Sequence, residues 1–145
     1  MQKIGRYFSF SGRTSRLDFW RIQVPMALFM GACLCAGLFL AEGTGIGAFS
    51  GLGFIALVPL AWMSVALVFR RLHDRNKSGW WILPFYLAPV TLALAARAML
   101  DKGGNLAAGL AALAELALWL WAFVELGLRS GTRGKNRFGP DPRAA

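Results

Sequence analysis

The sequence predicts an all-α integral membrane protein: four transmembrane helices in two antiparallel hairpins, with the N- and C-termini cytoplasmic. Three observations carry this. The chain is 57% hydrophobic and only 16% charged, with a mean hydropathy of +0.50. A soluble domain carries about 25% charged residues, and one this small leaves much of its surface in water. The apolar residues fall in four runs, and the cations behind the net charge of +9 fall between them.

The expected layout is one membrane domain over 1–145, with spans at 20–41, 46–69, 80–100 and 106–128. Cytoplasmic segments are expected at 1–19, 70–79 and 129–145. From Ile22 to Ala41 the only ionisable side chains are Cys33 and Cys35, and from Gly43 to Phe69 there is none. Between Ser78 and Ala96 only Tyr86 titrates; between Leu106 and Leu128 the exceptions are Glu115 and Glu125. Each run approaches the ~20 residues that a helix needs to cross ~30 Å of hydrocarbon. No strand-like alternation is present, and lipid admits only helices or closed barrels.

Ser15 followed by Asp18 reads as a capping box opening the first span. Trp20 then falls at headgroup depth. Upstream, Ile4, Tyr7 and Phe8 interleave with Lys3 and Arg6, a pattern suited to a short interfacial segment. Cys33 and Cys35 sit two apart on a helix and read as buried, inert thiols. The links Glu42–Gly45 and Asp101–Asn105 are short enough to force hairpins. Pro25, Pro59, Pro84 and Pro89 lie inside the runs, so the third helix, with two of them, is expected to bend most. Gly43, Gly47 and Gly51, and the pairs Ala107 with Ala111 and Ala108 with Ala112, are spaced for close backbone approach. Ser78 is placed to cap the third helix.

Orientation follows from the cations. Threading four helices puts Lys3, Arg6, Arg13, Arg16, Arg21, Arg70, Arg71, Arg75, Lys77, Arg129, Arg133, Lys135, Arg137 and Arg143 on one side. Only Arg97 and Lys102 face the other. Positive residues are retained in the cytoplasm, which puts both ends there. The same asymmetry accounts for the basic charge without nucleic acid, for which no folded basic module is available.

Few residues point to chemistry. Glu115 lies near the middle of the fourth run, where a carboxylate is costly. Counted from the turn, it lies roughly one helical turn deeper than Arg97, within reach of that side chain, so an intramembrane Arg97–Glu115 pair is expected. Glu125 is expected to pair with a tail arginine. His73 has no second histidine to complete a zinc site, so no metal or other cofactor is expected. The glycines and cations of the tail lack the strand and helix of a phosphate loop. Its Gly-Pro-Asp-Pro instead predicts a compact tail folded back on the membrane face. No catalytic residue is identified, and an enzyme is not expected.

Three segments carry a family resemblance: Phe8–Trp20 (FSFSGRTSRLDFW), Arg70–Trp81 (RRLHDRNKSGWW) and Gly131–Pro142 (GTRGKNRFGPDP). In order and spacing they resemble the bacterial domain-of-unknown-function 805 family. The resemblance implies a multi-pass protein of the bacterial inner membrane and brings no catalytic residues. Topology places all three segments on the cytoplasmic face. There Arg13, Arg16, Arg70, Arg71, Asp74 and Arg137 are expected to form a polar cluster, with Asp74 accepting from guanidinium groups and spare cations binding anionic lipid or a protein partner. The function so expected is a non-enzymatic scaffold or regulator. The alternative is a small oligomeric transporter or channel using Glu115.

Overall fold

The computed structural model describes residues 5, 7–44 and 47–144. Four long helices account for most of them. Helix α1 spans Arg16–Thr44 and α2 spans Gly47–Asp74. Helix α3, Gly79–Leu100, opens with a 3-10 turn over Gly79–Trp81 and a π turn over Leu83–Leu87, then runs as regular α-helix from Ala88. Helix α4, Asn105–Leu128, ends in a π turn over Phe123–Leu128. Among the described residues there is no strand, only one isolated bridge between Asn136 and Gly139.

Three stretches are long and apolar enough to cross a membrane: Arg16–Gly37, Gly79–Leu100 and Asn105–Leu128. Helix α2, of 28 residues, matches them in length. Large apolar side chains point outward along these helices, with Phe39 77% and Leu106 80% exposed. Exposure on this scale is costly in water and neutral in hydrocarbon.

Helix α1 packs along α2 and α3 along α4, as the short links require. The two hairpins meet at one end, where Phe19 of α1, Leu67, Val68 and Leu72 of α2, Phe85 of α3, and Ala122 and Leu126 of α4 form the buried core. All three polar segments gather at that same end. Gln23 of α1 and Ser64 of α2 exchange a hydrogen bond of 2.9 Å inside the first hairpin. In the second, Ala108 and Ala96 are both buried. Gly43 lies in α1 and Gly47 and Gly51 in α2, but the surroundings of these glycines are not described; Gly45, Lys3, Ile4 and Arg6 lie outside the described residues.

Local chemistry explains the boundaries. Asp18 N–H donates to Ser15 Oγ at 3.2 Å, while the Ser15 hydroxyl donates to Asp18 Oδ2 at 2.7 Å. The capping box is thus closed, with its carboxylate steering the serine rather than covering a backbone N–H. Helix α2 continues five residues into the expected loop, because Arg71 and Asp74 pair at i,i+3 and cations suit a helix C-terminus. Ser78 takes the N-cap position of α3, but its hydroxyl makes no cap bond. Around Pro84, which has no N–H to offer a regular ladder, α3 forms a π turn. The cysteines depart from expectation: Cys33 is half-buried and Cys35 exposed, since both lie on stretches of α1 that face outward.

Gly127 is fixed by a close approach. Trp20 Nε1 donates to its carbonyl at 3.0 Å, and a Cβ there would strike the indole ring. Gly127→Val is expected to lower stability by about 1–3 kcal/mol through overpacking. Gly109→Ala, where a Cβ meets open space, should stay within about 0.5 kcal/mol. Unfolding midpoints in mild detergent check both.

Candidate functional site

Asp74, the last residue of α2, is 1% exposed and is the centre of the polar end. Arg13 donates to its Oδ1 from Nε at 3.1 Å and from Nη2 at 2.9 Å. Arg71 donates to Oδ2 from Nη1 at 2.6 Å. A carboxylate between two guanidinium groups makes charge-assisted bonds on both oxygens. Arg13 is brought there because Thr14 N–H donates to the Arg70 carbonyl at 3.2 Å, laying the N-terminal segment across the end of α2.

Both arginines spend their other donors on backbone of the tail. Arg13 Nη1 reaches the carbonyls of Gly134 at 2.6 Å and Gly139 at 3.3 Å, and Nη2 that of Thr132. Arg71 Nε donates to Leu126 O at 2.7 Å and Nη2 to Arg129 O. In return, the Asp74 carbonyl accepts from Thr132 N at 2.8 Å and Thr132 Oγ1 at 3.0 Å. Gly131 is needed for this fit, since a Cβ would overlap the Asp74 carboxylate.

The end of α4 is thereby capped from outside. A helix leaves its last carbonyls without partners. Here Leu126 is taken by Arg71, Gly127 by Trp20, Leu128 by Arg16 at 2.8 Å, Arg129 by Arg71 and Ser130 by Arg75. Four of these five bonds carry a guanidinium charge toward the negative end of the helix dipole.

Glu125, also 1% exposed, is a second node. Arg75 and Lys77 lie 3.2 and 3.5 Å from Oε1, and Arg129 lies 2.9 Å from Oε2. Lys77 also stands 3.4 Å over the Trp81 ring. His73 stacks on Phe138 with centroids 3.9 Å apart, and its Nδ1 faces Gly12 O at 3.2 Å. Asn136 Nδ2 donates to His73 O at 2.9 Å and so ties the tail to the same turn. Further along the tail, Asp141 is held well below the usual carboxylate range by hydrogen bonds from Arg143 and from the Gly134 N–H.

Burial pulls the Arg71 guanidinium down to about 10; Asp74 resists this, and Arg75, Arg16 and Arg143 add to it. Arg71 stays charged at neutral pH, so the knot of Arg13, Arg71 and Asp74 carries one net positive charge. Among the described residues, no group of three His, Cys, Asp or Glu side chains stands close enough to hold a metal ion. The arrangement can bind anions and brace the polar end.

Of the six residues expected to cluster, Arg13, Arg71 and Asp74 meet directly. Arg16 lies at the same end but serves the Leu128 carbonyl. Arg137 donates to Asn76 O at 3.0 Å and lies 4.6 Å over the Phe138 ring. Arg70 is buried beside them. The Arg97–Glu115 pair does not form. Arg97 precedes the end of α3 by three residues and Glu115 follows the start of α4 by ten, which separates them by about two turns, roughly 10 Å. Glu115 accepts instead from Trp119 Nε1 at 3.3 Å, one turn along its own helix. The tail carbonyls and Thr132 were not singled out from sequence, and backbone acceptors leave no signature there; the glycine at 131 was the available hint.

Residues 7–140 match the family model described as a protein of unknown function, DUF805. The chain belongs to this family. Uncharacterized protein YiiR of Escherichia coli (strain K12) is 32% identical, the alignment covering 92% of this chain and 86% of YiiR. Inner membrane protein YhaH of the same organism is 28% identical over 99% of this chain and 94% of YhaH. No solved structure gives a significant match. The three polar segments all fall within the matched region, apart from the last two residues of the third.

Asp74→Ala would leave two buried guanidinium groups without their counter-charge, and a loss of about 3–5 kcal/mol is expected. Asp74→Asn, which keeps one acceptor and the shape, should lose less. Chemical unfolding in detergent micelles measures both.

His73 generates a pH prediction. Burial lowers its pKa from the usual value, Arg137 lowers it further, and the bond to the Gly12 carbonyl partly restores it. The folded state therefore binds this proton less tightly than the unfolded chain does. Its stability is complete above the unfolded value of about 6.5 and declines as pH falls below it. Thermal midpoints should drop on acidification from about pH 7 to about pH 5.5, and His73→Gln should flatten that part of the slope.

Proposed function

We propose that the chain is a four-span protein of the bacterial inner membrane with both termini cytoplasmic. Its role is that of a non-enzymatic scaffold or regulator, holding anionic phospholipid or a protein partner on its basic cytoplasmic face. One observation carries the reading: the three cationic segments, far apart in sequence, fold into a single face tied through Asp74. Among the described residues, twelve cations and four carboxylates (Asp18, Asp74, Glu125, Asp141) belong to that end, a balance of +8. At the far end Arg97 and Lys102 are balanced by Glu42 and Asp101. A basic surface beside a bilayer attracts anionic headgroups by about 1 kcal/mol per cation. The similarity to YhaH, an inner membrane protein, supports the location.

Two measurements test this. With Cys33 and Cys35 replaced, Lys135→Cys should react with an impermeant maleimide only after the inner membrane is opened, and Lys102→Cys should react from the periplasm. Protein purified in mild detergent should retain anionic over zwitterionic phospholipid and give no solute or ion flux in proteoliposomes. Periplasmic labelling of Lys135→Cys would overturn the topology. Flux would move the assignment to a transporter using Glu115.

A further inference from the structure

Beside the knot lies a cavity of about 350 Å³, bounded by Tyr7 and Arg13 of the N-terminal segment, by Asp18, Arg21 and Ile22 in the first turns of α1, and by Arg70 near the end of α2. It stands where the first membrane-capable stretch begins, so its Ile22 wall adjoins the apolar zone.

Its charge is unbalanced. Arg13, Arg21 and Arg70 stand against Asp18, leaving two positive charges around the space. Arg13 contributes field rather than bonds, since its N–H groups are directed to Asp74 and to the tail carbonyls. Arg21 is different. Its side chain is 76% exposed, and its carboxylate neighbour Asp18 lies 3.8 Å away, a loose exposed pair of the kind that contributes little. An incoming anion can recruit that guanidinium without breaking the fold. The Tyr7 ring, 38% exposed, brings a phenol to the same wall.

We propose that this cavity is a binding site for one phosphate group, taken from an anionic phospholipid headgroup or from a small phosphate ester. Guanidinium groups match phosphate oxygens with two parallel donors. The volume suits a phosphate with a few attached atoms, and the Ile22 wall suits the glycerol end of a lipid. The assignment rests on the anionic-ligand reading given above and names the place where that ligand is held.

The test uses the full chain, delipidated in neutral detergent, and native mass spectrometry. One arm adds phosphatidylglycerol in the presence of excess phosphatidylcholine. The other repeats this with inorganic phosphate as competitor. Wild type is expected to hold one phosphatidylglycerol. Arg21→Glu should weaken that binding by about tenfold or more, the scale of one lost charge-assisted contact, whereas Lys102→Gln, in the link between α3 and α4 at the far end, should not. Arg21 is exposed, so its variants fold; Arg21→Lys should restore part of the affinity and Arg70→Lys should reduce it. Lipid binding untouched by phosphate assigns the site to a headgroup, and displacement by millimolar phosphate assigns it to a soluble phosphate compound. If wild type binds phosphatidylglycerol and Arg21→Glu and Arg70→Lys bind it equally well, the cavity assignment is overturned while the anionic-face reading stands. If wild type binds neither probe, both fall.

Discussion

The buried carboxylate of Asp74 between two guanidinium groups is the constraint on which the polar end depends. Taking a carboxylate out of water is tolerable only when opposite charge and hydrogen bonds replace the lost hydration. Asp74 has both, and each arginine that serves it carries spare donors that must also be satisfied. They are, by the carbonyls of the tail and of the last turn of α4. Asp74 thus demands Arg13 and Arg71, and those two in turn demand a particular path for residues 126–139. A buried ion pair adds little net stability over an apolar replacement, and its better-attested contribution is to specify a single arrangement.

That specificity matters more in a bilayer than in water. Between membrane helices the hydrophobic effect is weak, because the alternative to protein contact is lipid of similar polarity. Among the described residues, the two hairpins share an apolar core only at the polar end. What selects their mutual placement is the set of directed bonds from Arg16, Trp20, Arg71 and Arg75 to the carbonyls closing α4. The π turn over Phe123–Leu128 belongs to the same arrangement, since a distorted last turn frees carbonyls that outside donors can reach.

Much of this was legible in the letters. Charge-free runs of about twenty residues announce helices in lipid, and short links announce hairpins. Asp74 stood out as an acid within a basic segment, so its guanidinium partners were anticipated, Arg13 and Arg71 correctly. Arg16 and Arg137 turned elsewhere because arginine has many donors and backbone carbonyls compete for them. The Arg97–Glu115 pair was inferred from a depth count that was about one turn short. The cysteines looked interior because thiols are usually buried in water-soluble folds; in an apolar solvent that preference loses its force.

The sequence separations inside the knot bear on how the molecule is assembled. Arg13 bonds a residue 61 positions away in Asp74, and carbonyls 119 to 126 positions away in the tail. The bonds to Asp74 can form once α2 is made, whereas those to the tail wait for residues 132–139. Residues 132–139, beyond the last helix, close the latch that joins first to last. A chain cut short before Thr132 keeps Asp74 as a partner for Arg13 but lacks every tail carbonyl that Arg13 uses, so the latch stays open.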